Sequence, residues 1–201
     1  GGNTGEYDND VDCDNTAGAT QTESGTDAEG DPVPAGQDAV YGRDKAEQDG
    51  RLTKEGGGSA GFDFTKIDTN GNALDANATE WSCVRDNVTG LMWEVKTDDG
   101  GLRDKDHTYT WYNSDDTTNG GDKGTADGGV CVDTGESSYC DTEKYVAEVN
   151  KARLCGYDDW RLPTRNELLS IVDNSGSQPT VDTAYFRNTA QGMYWSASSH
   201  A

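Results

Sequence analysis

Apolar positions are sparse at the start of this chain and then gather into short runs with two different periods. Gly61-Phe62-Asp63-Phe64-Thr65-Lys66-Ile67 alternates apolar and polar side chains, the pattern of a half-buried strand. Asp68-Thr69-Asn70-Gly71-Asn72 follows, and its Asn-Gly pair signals a turn because glycine adopts positive φ freely. Thr79-Glu80-Trp81-Ser82-Cys83-Val84 alternates again, Asp86 to Gly90 reads as a tight turn, and Leu91 to Lys96 as the returning strand. Residues 79–96 are therefore predicted to form a hairpin. Tyr109-Thr110-Trp111-Tyr112 is a short β-prone piece, and Tyr194 to Ser198 reads as a last strand reached through Tyr185-Phe186.

The period lengthens in two places. Asp141-Thr142 predicts a capped helix running to about Arg153, with Tyr145, Val149 and Ala152 on one face. Further on, Pro163 closes an extended segment, since the residue before a proline avoids helical dihedrals. Thr164 and Glu167 then make a Thr-x-x-Glu capping box, which starts a helix whose buried face is Leu168, Leu169, Ile171 and Val172 and which ends near Asn174-Ser175-Gly176. Arg161, just before this corner, has the fork geometry to bridge backbone carbonyls or an acidic partner. Two helices among short antiparallel strands predict an α+β fold.

Composition narrows the picture. Only 31% of residues are hydrophobic and 26 are glycine, so the core must be small for 201 residues. All five tryptophans follow residue 80, and the first 60 residues are Gly-, Asp-, Thr-, Glu- and Ser-rich. Residues 1–35 are read as a low-complexity acidic arm and 36–201 as the folded domain. The stretch before residue 60 is either a flexible arm or an irregular segment held by Cys13 and Tyr41, with pinning favoured for 36–64. Residues 113–139 form a long Gly/Asp/Thr-rich insertion, a length that is uncommon unless functional, disordered or cross-linked.

Charge excludes several partners. With a net charge of −22, the chain repels nucleic acid, anionic lipid and sulfated polysaccharide, and favours divalent cations, cationic surfaces or a saline habitat. No apolar run approaches the roughly 20 residues of a membrane span, so membrane insertion is not expected. A chain opening Gly1-Gly2-Asn3 fits a processed mature form. Five cysteines without Cys-x-x-Cys spacing point to disulfides and an oxidising compartment, with one thiol left over.

Four ordered motifs carry a family resemblance: Cys83 to Glu94 (Cys-Val-Arg-Asp-Asn-Val-Thr-Gly-Leu-Met-Trp-Glu), Tyr109-Thr110-Trp111, Leu154 to Thr164 (Leu-Cys-Gly-Tyr-Asp-Asp-Trp-Arg-Leu-Pro-Thr), and Tyr194-Trp195-Ser196. Together they resemble the C-terminal domain of Legionella collagen-like adhesins, over roughly residues 36–201. The Arg161-Leu162-Pro163-Thr164-x-x-Glu167 core also resembles the formylglycine-generating-enzyme branch of the C-type-lectin-like fold. The resemblance implies a C-type-lectin-like fold and an exported, often oligomeric, bacterial protein that is secreted or held at the cell surface. This chain lacks the basic surface by which adhesin members would hold sulfated glycans. It also ends at Ala201, where family members continue through further strands. The edge so left predicts one of two things: the sequence is a truncated piece, or residues 1–35 of a neighbouring copy add a strand, with Cys13 as the assembly latch. Spacing alone leaves disulfide connectivity open; the expected pairs are Cys131–Cys140, closing a short loop, and Cys83–Cys155, tying hairpin to corner.

Chemical constellations are few. His107 and His200 are the only histidines, no nucleophile–base pair has local support, and no catalytic residue is assigned. Asp68-x-Asn70-x-Asn72 and Asp8-x-Asp10-x-Asp12 superficially resemble calcium-loop starts but lack the remaining ligand positions. Asp98, Asp99, Asp104, Asp106, Asp115, Asp116 and Asp122 are candidates to converge on Ca2+. Trp93, Trp160 and Trp195 are assigned to the core, whereas Trp111 and Tyr112 are expected to be exposed and to contact ligand. The leading expectation is a non-enzymatic, calcium-assisted binding or adhesion domain whose partner is a surface glycan or protein. The alternative is a self-assembling subunit of an extracellular filament.

Overall fold

A computed structural model describes residues 42–131, 140–173 and 178–198. The chain divides into two compact units, Gly1–Thr53 and Lys54–Ala201. In the first, helix α1 (Arg43–Gln48) ends in a small ion-pair group, with Lys45 Nζ 2.8 Å and Arg51 Nη2 2.5 Å from the carboxylate of Asp49. The hydrophobic pattern did not anticipate this helix, because none of its residues is buried. Tyr7, Cys13 and Tyr41, and with them the expected arm and latch, lie outside the described residues.

The second unit is α+β. Strands β1 (Phe64–Ile67), β2 (Cys83–Asp86) and β3 (Met92–Glu94) form one antiparallel sheet in the order β1-β2-β3. Phe64 faces Asp86 and Ile67 faces Cys83 across the first pair, and Val84 faces Trp93 across the second. The 79–96 hairpin is present, but its strands are shorter than the alternation predicts, as is β1.

All four residues of β1 are buried, which simple alternation does not predict. Period-2 geometry sends Phe64 and Ile67 to opposite faces. Each face is covered by its own cluster. Phe64 and Val84 pack with Val95, Ile171, Tyr185 and Phe186; Ile67 and Cys83 pack with Tyr145, Val149, Leu154 and Cys155. The polar residues of β1 are buried because they are satisfied. Lys66 Nζ donates to the carbonyls of Ala76 and Ala78, each at 2.9 Å, and Thr65 Oγ1 bonds the Asn87 amide.

Helix α2 (Thr142–Lys151) starts as its cap predicts. Asp141, fully buried, accepts from Lys144 N at 2.8 Å and from Asp127 N at 3.1 Å. Tyr145 and Val149 face the core, while Ala152 lies beyond the helix and is exposed. A 3-10 turn at Leu154–Gly156 reverses the chain, with Arg153 and Cys155 in left-handed conformation at φ 51° and 52°. Helix α3 (Arg165–Leu169) has the expected capping box but only five residues. Its predicted apolar face is corrected accordingly: Ile171 is buried, Leu168 and Val172 are half-buried, and Leu169 is 56% exposed. The helix stops because Ser170 Oγ turns back to the Glu167 carbonyl and Asp173 N is drawn to the Thr180 carbonyl.

The long insertion is tied to the strand-like piece before it by isolated bridges, Thr108 to Val130, Thr110 to Asp141 and Tyr112 to Gly124. Gly129 fits between the Thr108 and Cys140 carbonyls, where an added Cβ would lie 2.1 Å from one and 2.7 Å from the other. Both expected disulfides form. Cys131–Cys140 closes the end of the insertion, and Cys83–Cys155 joins β2 to the 3-10 turn inside the second cluster.

Cys83–Cys155 spans 72 residues and Cys131–Cys140 only 9. Replacing Cys83 and Cys155 with serine should therefore cost the larger share, about 2–5 kcal/mol, measured by urea unfolding beside the Cys131/Cys140 double variant. Asp141→Ala should cost about 1–2 kcal/mol for the lost cap and more for the second amide stranded with it. Asp141→Asn, which keeps one acceptor oxygen for the cap but sets an NH2 group against the Asp127 amide, should recover only part of that loss.

Candidate functional site

The acidic loop after β3 shows what the carboxylates do. Asp104 is buried, and it accepts from Asp99 N at 2.8 Å, Gly100 N at 2.6 Å and Asp106 N at 2.9 Å. The amides of Asp106, Gly100 and Asp99 hold its pKa below the ordinary carboxylate value. Carboxylate oxygens of Asp98, Asp104 and Asp106 lie within 4.8 Å of one another. Lys105 sits among them, its Nζ 3.2 Å from Asp98 and 2.9 Å from Asp106, which in turn raises the lysine pKa. A cation at this trio would have to displace that ammonium group.

The other candidate ligands are engaged in separate turns. Asp99 accepts from Gly101 N and Thr97 Oγ1, Asp115 from Thr117 and Thr118, and Asp122 from Gly124 N. Asp116 pairs with Lys123 at 3.1 Å. Asp68 accepts from Asn70 N, Asn72 N and Asn72 Nδ2, so the Asp-x-Asn-x-Asn stretch closes on itself as a turn. Asp8, Asp10 and Asp12 lie outside the described residues. Beside the Asp104 loop, Leu102, Arg103, Val149 and Leu154 line a cleft of about 160 Å³, well below the roughly 300–1,000 Å³ of small-molecule sites.

A second constellation gathers near residues 193–198. Met193 is 99% exposed, Tyr194 46% and Trp195 50%. The assignment of Trp195 to the core is therefore corrected. Its indole N–H donates to the Tyr109 carbonyl at 2.6 Å, which fixes the ring at the surface and leaves about half of it in contact with water. Trp111 Nε1 returns the contact by donating to the Ser196 carbonyl at 3.1 Å. Trp111 and Tyr112 are half-buried, which corrects the expectation that they are exposed. Thr142 Oγ1 clamps the Tyr112 backbone from both sides, accepting from its N–H and donating to its carbonyl. Trp93 and Trp160 are half-buried and pack against the first and second clusters.

Residues 194–198 do not form the predicted strand. They are held instead by the corner motif: Ala197 N donates to the Pro163 carbonyl at 2.7 Å and Arg165 N to Ser198 Oγ at 3.1 Å. The corner is rigid because Arg161 grips Glu167 with both nitrogens, at 2.9 and 2.6 Å, and also donates to the Leu162 carbonyl. Arg161, with Thr164 N, depresses the Glu167 carboxyl from 4.5 to about 2. The motif thus positions the exposed aromatics.

The chain matches the Lcl C-terminal domain over residues 82–201 and belongs to that family. No curated protein and no solved structure matches it. The family suggests an adhesin-like surface domain. The two disulfides are compatible with an extracellular or surface setting, and no described helix is long and apolar enough to cross a membrane.

The Glu167 pair sets a pH window. Because its folded pKa is depressed, its stabilisation is complete above the unfolded value of 4.5 and is lost as pH falls through about 2. Arg161→Ala should cost about 1 kcal/mol near neutral pH, and the gap from the wild type should close across that acid range. Urea titrations at several pH values measure it; a gap independent of pH would mean that the pair is not what holds the corner.

Proposed function

We propose that this chain is an exported, non-enzymatic binding domain of C-type-lectin-like character, acting in adhesion at a bacterial cell surface. The observation that carries this reading is the Tyr194-Trp195 edge. Both rings are about half exposed, and Trp195 is locked through its indole N–H to the Tyr109 carbonyl. A pre-positioned aromatic surface loses little freedom on binding and offers a flat face to a sugar ring or to an apolar or cationic side chain. Trp111 and Tyr112 flank the edge through the Trp111–Ser196 hydrogen bond. The net charge of −22 directs the choice of ligand toward neutral or cationic groups and away from sulfated ones.

Calcium assistance belongs to this reading through Asp98, Asp104 and Asp106, in exchange for Lys105. At constant ionic strength, millimolar calcium should raise the melting temperature over that in chelator, and Asp106→Asn should abolish the rise. An identical melting temperature in calcium and in chelator removes calcium from the function.

Self-assembly into filaments is a second reading, favoured by the apolar Met193, which stands fully in water beside two exposed rings. Electron microscopy of the purified chain separates the two. Dispersed particles that bind defined members of a neutral and amino-sugar glycan array, or a basic protein surface, support adhesion. Regular filaments lost in Met193→Ser support assembly. Trp195→Ala should reduce adhesive binding at least tenfold while leaving the melting temperature within a few degrees, and unchanged binding would overturn the assigned edge.

A further inference from the structure

Two Asn-x-Thr triplets occur in the sequence, Asn77-Ala78-Thr79 and Asn87-Val88-Thr89. The triplet is the acceptor pattern for N-linked oligosaccharide, and it requires a surface amide in a secretory setting. The fold treats the two sites in opposite ways.

Asn87 is locked. Its Nδ2 donates to Asp63 Oδ1 at 2.8 Å and to Thr65 Oγ1 at 2.9 Å, while its Oδ1 accepts from Arg85 Nε at 3.0 Å. Asp63 and Thr65 are themselves buried, so these bonds face the inside of the sheet edge. The hydroxyl of Thr89 is taken as well, donating to Asp86 Oδ2 at 2.6 Å.

Asn77 is presented. Asp75 to Ala78 is a tight turn, closed by Ala78 N to the Asp75 carbonyl at 2.9 Å, and Asp75 Oδ1 accepts from Asn77 N at 2.8 Å. Buried Lys66 ties down the carbonyls of Ala76 and Ala78, on either side of Asn77, with its Nζ 3.9 Å from the Trp81 ring centroid. The backbone is thereby anchored from below, and Asn77 and Thr79 are both exposed. No described residue hydrogen-bonds the Asn77 side chain. Two residues before the acceptor stands an acid, Asp75, where Asn87 has the cation Arg85. A transferase with a cationic subsite at that position would discriminate in the same direction as exposure does.

We propose that Asn77 is an N-glycosylation site and that Asn87 is not. Asn77 Nδ2 attacks C1 of an oligosaccharide carried on a polyprenyl pyrophosphate. The N–C1 bond forms as the C1–O bond breaks, the lipid pyrophosphate leaves with the electron pair, and the amide proton passes to a carboxylate of the oligosaccharyltransferase. The disulfides agree with the compartment in which such transferases act. A glycan here would cover the turn on the Trp81 side of the sheet.

Trypsin separates the two candidates, because Lys66 and Arg85 bound a peptide, 67–85, that contains Asn77 but not Asn87. The test is mass spectrometry of the full chain purified from its native host, and of the full chain exported in a host with or without an oligosaccharyltransferase. Expected is a hexose-containing mass increment on peptide 67–85 in the native and transferase-positive samples. The increment should be lost in Asn77→Gln and in Thr79→Ala, and kept in Asn87→Gln. An unmodified 67–85 peptide in the native protein overturns the proposal. So does an increment that survives Asn77→Gln or that resides on the peptide carrying Asn87. The transferase-positive arm tests the acceptor itself independently of where the native host places the protein.

Discussion

Buried carboxylates that accept main-chain amides are the interaction on which this fold depends. Among its described residues the second unit has three strands of three or four residues and two short α-helices, so most of their backbone donors lie outside regular ladders. Asp63 takes the amides of Glu55 and Gly56, Asp86 that of Val88, Asp104 those of Asp99, Gly100 and Asp106, and Asp141 those of Lys144 and Asp127. All four carboxylates are at most 5% exposed. Hydrogen bonds to a charged acceptor contribute about 1.5–3 kcal/mol each. A chain with 31% hydrophobic residues thus builds its loops from anions, which accounts for part of its negative charge without any bound cation.

The thin sheet can serve two cores because neighbouring residues point in opposite directions. Val84 enters the cluster with Phe64 and Phe186, whereas Cys83 enters the one with Tyr145 and Leu154 and carries the disulfide to Cys155. Cations reinforce both layers. Lys66 and Arg187 each lie over Trp81, at 3.9 and 4.3 Å, and Lys96 lies 4.5 Å from the Tyr145 ring while pairing with Glu94. Such contacts suit a protein short of aliphatic side chains, since each basic residue covers an aromatic face, and Lys96 and Arg187 also pair with Glu94 and Glu80.

Much of this was legible in the residues themselves. The Thr164–Glu167 box, the Asp141 cap, the hairpin turn before β3 and the short Cys131–Cys140 loop rest on local chemistry, and local chemistry survives folding; the Cys83–Cys155 pairing, 72 residues apart, rested on which motifs the two cysteines precede. Helix length and strand extent were misjudged where tertiary contacts intervene: α3 ends at Leu169 because Ser170 and Asp173 are pulled aside, and residues 194–198 bond to a loop carbonyl rather than to a strand. The acidic runs were the hardest to read. An aspartate that ligates a metal and one that closes a turn have the same spacing, and only the fold shows that Asp104 accepts three main-chain amides beside Asp98 and Asp106 while Asp115 closes a separate turn on Thr117 and Thr118. Trp195 was misplaced for a related reason, because periodicity ranks residues by type and cannot show that an indole N–H has been claimed by the Tyr109 carbonyl.

The contacts that complete the structure join distant parts of the chain. Trp81 Nε1 meets the Tyr185 carbonyl 104 residues away, Arg187 reaches the Thr79 carbonyl across 108, and Ser59 N bonds Asp182 across 123. Closure of such loops has to precede the reward for making them, so a topology of this kind folds slowly compared with helical proteins of the same size. Until the 180s arrive, Phe64, Val84 and Trp81 lack their cover. A chain still lacking those residues therefore carries an open apolar sheet face, and its net charge of −22 opposes contact between such faces of separate copies.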